Sequence, residues 1–182
     1  MIRSIGILES RSIAKGVEAC DAMLKTGSVS ILRSSSTCPG KYMTILTGNI
    51  SDVESSIALG RNLLGKRYVD HLVLANVEEE VVKAIQGKIS PRPIEALGML
   101  EYLSVTGAVY GADAALKAAD VGIVKMKMGF ALGGKSYLLV TGRLAAVESA
   151  IQAGLAQSKE HGFVFESSLI PSPHEELINQ LG

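Results

Sequence analysis

Few side chains in this sequence could do chemistry, and one stands apart. Cys38 lies in the polar stretch Ser34-Ser35-Ser36-Thr37-Cys38-Pro39-Gly40, where Pro39 biases it to an extended backbone and Gly40 lets the main chain come close to a neighbouring group. A lone thiolate cannot hold an iron–sulfur cluster, which needs three or four. Symmetry can supply the others, because a loop on a three-fold axis would bring three Cys38 thiolates together. The residues alone leave that reading open beside an ordinary loop thiol. Cys20 falls on an apolar helical stripe and reads as a small buried residue. His71, His161 and His174 are scattered, without ligand spacing to one another or to a cysteine, so they read as surface or structural residues.

A second candidate is Gly129-Phe130-Ala131-Leu132-Gly133-Gly134-Lys135-Ser136, which satisfies the phosphate-loop pattern G-x-x-x-x-G-K-[ST]. That chemistry needs a loop opening a helix, so that terminal N–H groups and the helix dipole face the phosphates. Here the following Tyr137-Leu138-Leu139-Val140 is strand-like and ends at Thr141-Gly142, so the context is inverted. Nor does a second acidic strand suited to Mg²⁺ stand out. With no activated nucleophile, paired carboxylates or cofactor fingerprint, the chain is not expected to be an enzyme.

The elements that must position these residues are written twice. Ser4-Ile5-Gly6-Ile7-Leu8-Glu9 reappears as Ala96-Leu97-Gly98-Met99-Leu100-Glu101, and Asp21-Ala22-Met23-Leu24-Lys25 as Asp113-Ala114-Ala115-Leu116-Lys117. After a short slip, Gly40-Lys41 matches Gly134-Lys135 and Val53-Glu54-Ser55 matches Val147-Glu148-Ser149. A repeat of roughly ninety residues is a whole domain rather than a solenoid unit. The expected domains are 1–88 and 94–182, with a linker over 89–93. The two copies differ most at Cys38-Pro39-Gly40 against Phe130-Ala131-Leu132-Gly133-Gly134.

In the first copy the patterning predicts a strand over Ile2 to Glu9. A helix capped by Ser12 follows, with Ile13, Val17, Cys20 and Leu24 on its apolar side and a stop at Gly27. A strand over Val29 to Arg33 then runs into the polar loop, and another spans Tyr42 to Thr47. Ser51-Asp52-Val53-Glu54 reads as a capping box opening a helix. A strand over His71 to Asn76 and a short helix over Glu78 to Gln86 complete the copy. The second copy repeats this order, with a loop over Lys127 to Gly134, a strand over Phe163 to Glu166 and a helix after Pro173. The expected class is α+β with mostly antiparallel sheets.

Composition narrows the partners. Eighteen acidic and eighteen basic side chains leave no electrostatic footprint for nucleic acid or an anionic membrane. No apolar run approaches the roughly twenty residues that span a bilayer, and a cytosolic location is expected, where Cys20 and Cys38 would not form a structural disulfide. Apolar residues make up 47% of the chain with only 4% aromatic, which points to surface buried against other subunits.

The motifs together resemble one family. I-G-I-L-E, S-I-A-K-G followed by D-A-M-L-K, a polar loop ending in G-K, T-G before D-V-E-S-S-I, and I-P-S-P-H-E-E-L at Ile170 to Leu177 resemble the bacterial microcompartment (BMC) shell proteins, over nearly the whole chain. Within that family the chain is similar to tandem-domain members that form pseudohexameric homotrimers with a central pore. The loop Thr37 to Lys41 resembles members in which one cysteine per chain binds a pore [4Fe–4S] cluster. The resemblance implies that Cys38 holds one such cluster per trimer, for electron or cluster transfer across the shell. It implies a pore lined by Ser36, Thr37, Pro39, Gly40, Gly129, Phe130, Ala131, Leu132, Gly133 and Gly134. Lys25 and Lys117 match the lysine that tiles such proteins into sheets, and each also reads as an i,i+4 partner of an aspartate. Where the family commonly has I-P-R-P-H, this chain has Ser172, which removes a cation from an edge contact. The implied partners are other shell proteins and an encapsulated redox enzyme, within the microcompartment shell. Two alternatives remain: a trimeric small-ligand sensor, and a plain metabolite pore without a cluster.

Overall fold

The computed structural model describes residues 4–129, 131–157 and 164–181, so expectations resting on Ile2, Phe130, His161 and Phe163 lie outside the described residues. The written repeat becomes a repeated succession of elements. The first copy holds β1 (Ser4–Ser10), α1 (Ile13–Thr26), β2 (Val29–Thr37), β3 (Lys41–Gly48), α2 (Ile50–Leu64), β4 (Tyr68–Ala75) and α3 (Glu79–Ile85). The second holds β5 (Ala96–Tyr102), α4 (Val105–Ala118), β6 (Gly122–Met128), β7 (Ser136–Gly142), α5 (Leu144–Gln157), β8 (Val164–Ile170) and α6 (Glu175–Leu181). The strands form two sheets ordered β2-β3-β1-β4 and β6-β7-β5-β8, with every paired strand antiparallel. This is the expected α+β class.

Each sheet is held to its helices by an apolar layer and by close approaches at glycines. Leu8, Leu46, Ala19, Cys20, Met23, Val53, Ile57 and Leu64 form a continuous buried cluster from β1 and β3 to α1 and α2. Gly6 of β1 must lack a side chain, because a Cβ there would stand 2.6 Å from Ile57 Cγ1 of α2. Gly98 of β5 repeats the arrangement, its added Cβ falling 2.6 Å from Val147 Cγ1 of α5. The repeated Ile-Gly-Ile and Leu-Gly-Met motifs therefore mark where a helix lies directly on the central strand.

Several local expectations are corrected. The second strand continues through Ser34 to Thr37, which the polar composition assigned to a loop. Pairing with β3 supplies its backbone partners, and Ser34 Oγ donates to Tyr42 OH at 2.9 Å, so cross-strand contacts override the weak strand propensity of serine. Ser12 caps α1 as expected, its side chain accepting from the Lys15 N–H, but Gly27 is extended rather than left-handed. Helix α2 begins at Ile50 after Asn49, two residues earlier than the capping box placed it, and that N-cap makes no side-chain hydrogen bond. On α1 the buried residues are Gly16, Ala19, Cys20 and Met23, whereas Ile13 and Val17, expected on the apolar side, are exposed.

The chain separates into two compact units. The first comprises residues 1–77 with 129–134, and the second residues 78–128 with 135–182. The compact units divide before α3, which buries Val81, Val82, Ala84 and Ile85 and falls within the second unit, whereas the expected boundary at residue 88 follows the written repeat. The segment 129–134, written in the second copy, belongs to the first unit.

One polar atom in the second unit is costly. Tyr102 is fully buried, and its hydroxyl has no hydrogen-bond partner among the described residues. An added Cβ at Gly111 would meet that hydroxyl, so the ring fills space that α4 leaves by having glycine there. Burial pushes the phenol pKa far up, so the group stays neutral. Tyr102→Phe removes the stranded hydroxyl and is expected to raise unfolding stability by about 1 kcal/mol. Urea titrations of the two proteins check this, and a destabilised phenylalanine variant would show that the hydroxyl has a partner.

Candidate functional site

The site is built on the hairpin of β2 and β3. Thr37 pairs with Lys41, leaving Cys38, Pro39 and Gly40 as a three-residue connection. Such connections close with a left-handed residue, and Gly40 provides it at φ 71°. The Cys38–Pro39 peptide is cis. Cys38 is half-buried with its thiol free, whereas Pro39 and Gly40 are exposed and no atom lies within 4 Å of a Cβ built on Gly40. Ser36 is exposed, but Thr37 is only 5% exposed, so the accessible part of this loop in a single chain starts at Cys38.

A contact that the sequence does not announce holds the hairpin tip in place. The Cys38 N–H donates to the Gly129 carbonyl at 2.7 Å, joining the glycine-rich segment to the cysteine turn. Gly134 is pressed against the same turn, its added Cβ falling 2.6 Å from the Cys38 carbonyl oxygen, and it takes φ 90°. Gly129 and Gly133 are also left-handed, as is Ala131, so these positions shape a winding loop. Ala131 and Gly133 are exposed, Leu132 is half-buried and Phe130 lies outside the described residues. The only sequence signal for this contact was the density of glycines.

The phosphate-loop resemblance ends here. The loop feeds β7, a strand, and no helix begins after Lys135. The Lys135 ammonium lies 3.4 Å from Glu101 Oε2 and 3.5 Å from the centroid of the Phe165 ring, so an ion pair and a cation–π contact account for its charge. Lys135→Ala is therefore expected to leave calorimetric ATP binding at a baseline of none. Micromolar affinity in the wild type, abolished by this change, would overturn that reading.

Among the described residues no group of three or more His, Cys, Asp and Glu side chains converges as a metal site. Among the described residues of one chain a cluster thus has no complete ligand set. The donor chemistry of a single free, half-buried cysteine at a hairpin tip fits a cluster only where copies of the loop meet. Cys20 does not compete, being 6% exposed with its sulfur 3.7 Å from Ser34 Oγ. Lys25 and Lys117 both form the expected pairs, at 2.6 Å to Asp21 and 2.5 Å to Asp113. Among the described residues no helix is long and apolar enough to cross a membrane.

Two sheets of four antiparallel strands, each carrying paired helices and a β2–β3-type hairpin, define the class. The BMC domain profile matches residues 4–77 and again 96–173, and the chain belongs to that family. It is 41% identical over its whole length to the bacterial microcompartment shell protein PduT of Citrobacter freundii, covering 98% of that protein. The carboxysome assembly protein CcmO of Synechococcus elongatus is 26% identical over 98% of this chain and 68% of its own length. A crystal structure of a microcompartment protein from Desulfitobacterium hafniense superposes with a TM-score of 0.89 at 37% identity, over 98% of this chain and 99% of that one.

Proposed function

We propose that this protein is a shell component of a bacterial microcompartment in the cytoplasm, a homotrimer whose central pore carries one [4Fe–4S] cluster on three Cys38 thiolates. The tandem BMC domains and the whole-length similarity to PduT support the shell role. The observation that carries the rest is Cys38 itself, a half-buried free cysteine at the tip of a hairpin tied to the glycine loop through the Gly129 carbonyl.

The chain's own residues have separable tasks in this reading. Pro39 and Gly40 shape the turn, and the bond from the Cys38 N–H to Gly129 fixes the direction of its main chain. Three thiolates leave one cluster iron without a protein ligand. When bound, the cluster would supply one-electron chemistry, with the three Cys38 thiolates as its only protein ligands. Gly40, with open space around it, lets a cluster approach the backbone without a side chain intervening. Lys41 follows directly and contributes positive charge near an anionic group. Electron or cluster passage across the shell, serving an encapsulated redox enzyme, is the resulting function.

Anaerobic purification with iron and sulfide analysis tests this reading. A brown protein with iron and sulfide in equal amounts supports it. A colourless protein after reconstitution overturns the cluster and leaves a plain pore lined by Cys38.

A further inference from the structure

The end of the first sheet that carries Cys38 also gathers cations. Register places Ser36 opposite Tyr42, Tyr42 opposite Ser10 and Ser10 opposite Tyr68, so one row of residues crosses all four strands. Just beyond that row lie the Cys38 turn, Arg11 and Arg67, with Lys41 next to Tyr42 on β3. The Arg11 N–H donates to the Arg67 carbonyl at 2.9 Å, which carries the pairing one step past the strands and sets the two arginines side by side. Lys66 precedes Arg67 in the 3₁₀ turn Gly65–Arg67. Arg61 is held at the same end, its guanidinium 5.5 Å from the Tyr68 ring centroid and 3.5 Å from His71 Nε2.

The fold itself does not use these charges. Arg11, Lys66 and Arg67 are exposed, and among the described residues neither they nor Lys41 form an ion pair. The acids on the adjoining strand ends do not offset them at the surface. Glu9 is 1% exposed, and Asp70 is half-buried with Oδ1 accepting from the His71 N–H. The second copy builds the same elements on apolar residues. Leu103 stands before the capping Ser104 where Arg11 stands before Ser12, and Leu155 takes the place of Arg61 in the repeat aligned on Val53 and Val147. In a chain with equal acidic and basic totals, the cations around Cys38 are therefore a local excess that folding does not require.

We infer that this sheet end is the docking surface for a small electron-carrier protein with an acidic face, which Arg11, Lys66 and Arg67 steer and which covers Lys41 beside the Cys38 turn. The inference rests on the cluster proposed above and specifies its redox partner by charge. Strands about 4.8 Å apart make the row from β2 to β4 about 14 Å wide, and an electron-transfer contact of about 1,000 Å² in total spans that width. One bound carrier thus covers the thiol and the cations together. Carboxylates on its face accept charge-assisted hydrogen bonds from the guanidinium groups. Exposed charges raise the rate of encounter more than the lifetime of the complex, so a carrier arrives and leaves quickly. The carrier loses one electron and the cluster gains it, or the reverse, with no bond formed.

Binding of a plant-type [2Fe–2S] ferredoxin, a small acidic carrier, tests the surface without requiring the cluster. Fluorescent ferredoxin is expected to bind the full chain, and to bind about tenfold more weakly when salt rises from about 20 to about 200 mM. Arg11→Glu with Arg67→Glu is expected to weaken binding about tenfold at low salt. Circular dichroism and sedimentation should stay native in that variant, because the bond between the two residues is made by their backbones. Lys66→Glu, in an exposed turn, should act in the same direction and serves if the double variant fails to fold. Lys88→Glu, an exposed cation of the second unit, should leave binding unchanged. Wild type that does not bind ferredoxin, undiminished binding in the folded variants, an equal loss with Lys88→Glu, or equal binding of a basic cytochrome c overturns the inference. Displacement of ferredoxin by inorganic phosphate beyond that by chloride at equal ionic strength marks a free-anion site and overturns it too. Iron analysis of the same samples reads the cluster separately, so ferredoxin binding by an iron-free protein removes the cluster alone.

Discussion

Cys38→Ser is expected to abolish the brown colour and bound iron of the anaerobically purified protein, from about four irons per trimer to background. A serine hydroxyl is a harder and poorer ligand for cluster iron, and the symmetric site loses all three protein ligands at once. The trimer should survive, because the replaced atom lies at a hairpin tip and the hydrogen bond from residue 38 to the Gly129 carbonyl uses the backbone. Cys20→Ser is the control. Its sulfur is buried beneath α1, so the change should cost about 1 kcal/mol of stability and leave the iron in place. Iron that follows Cys20, or reconstituted wild type without iron, would refute the assignment of Cys38.

Reversing the charge at Lys25 together with Lys117→Gln is expected to abolish extended sheets in electron micrographs while leaving the trimer in solution. The two lysines require different substitutions because their surroundings differ. Lys25 and Asp21 have side chains 72% and 62% exposed, so their pair contributes only a few tenths of a kcal/mol and Lys25→Asp is tolerated locally. The Asp113 side chain is 4% exposed and also accepts from the Glu78 N–H, so a second carboxylate at position 117 would strain the unit itself. Glutamine removes the cation without that repulsion. Sheets that persist in the double variant would exclude these lysines from the tiling edge. Loss of sheets and trimer together would place them in the trimer interface instead.

Repetition, periodicity and turn residues made the domain plan readable from the sequence. The motif around Gly6 recurs around Gly98 because the same helix-on-strand approach recurs, and Ser12 declares its helix through a local side-chain bond. Cys38 was visible as the exceptional residue because Pro39 and Gly40 beside it have few other uses. Local rules could not carry the Ser34 to Thr37 strand, whose stability comes from pairing with β3. They also misplaced Ile13 and Val17: helical spacing tells which residues share a face, but not whether another element covers it. The association of Gly129 with Cys38, and of α3 with the second unit, joins residues far apart in sequence. The sequence by itself determined two BMC domains and the placing of Cys38 in a turn with Pro39 and Gly40. Tertiary structure alone decided which loop holds that thiol and which apolar face is left uncovered, because both depend on long-range packing that no local pattern encodes.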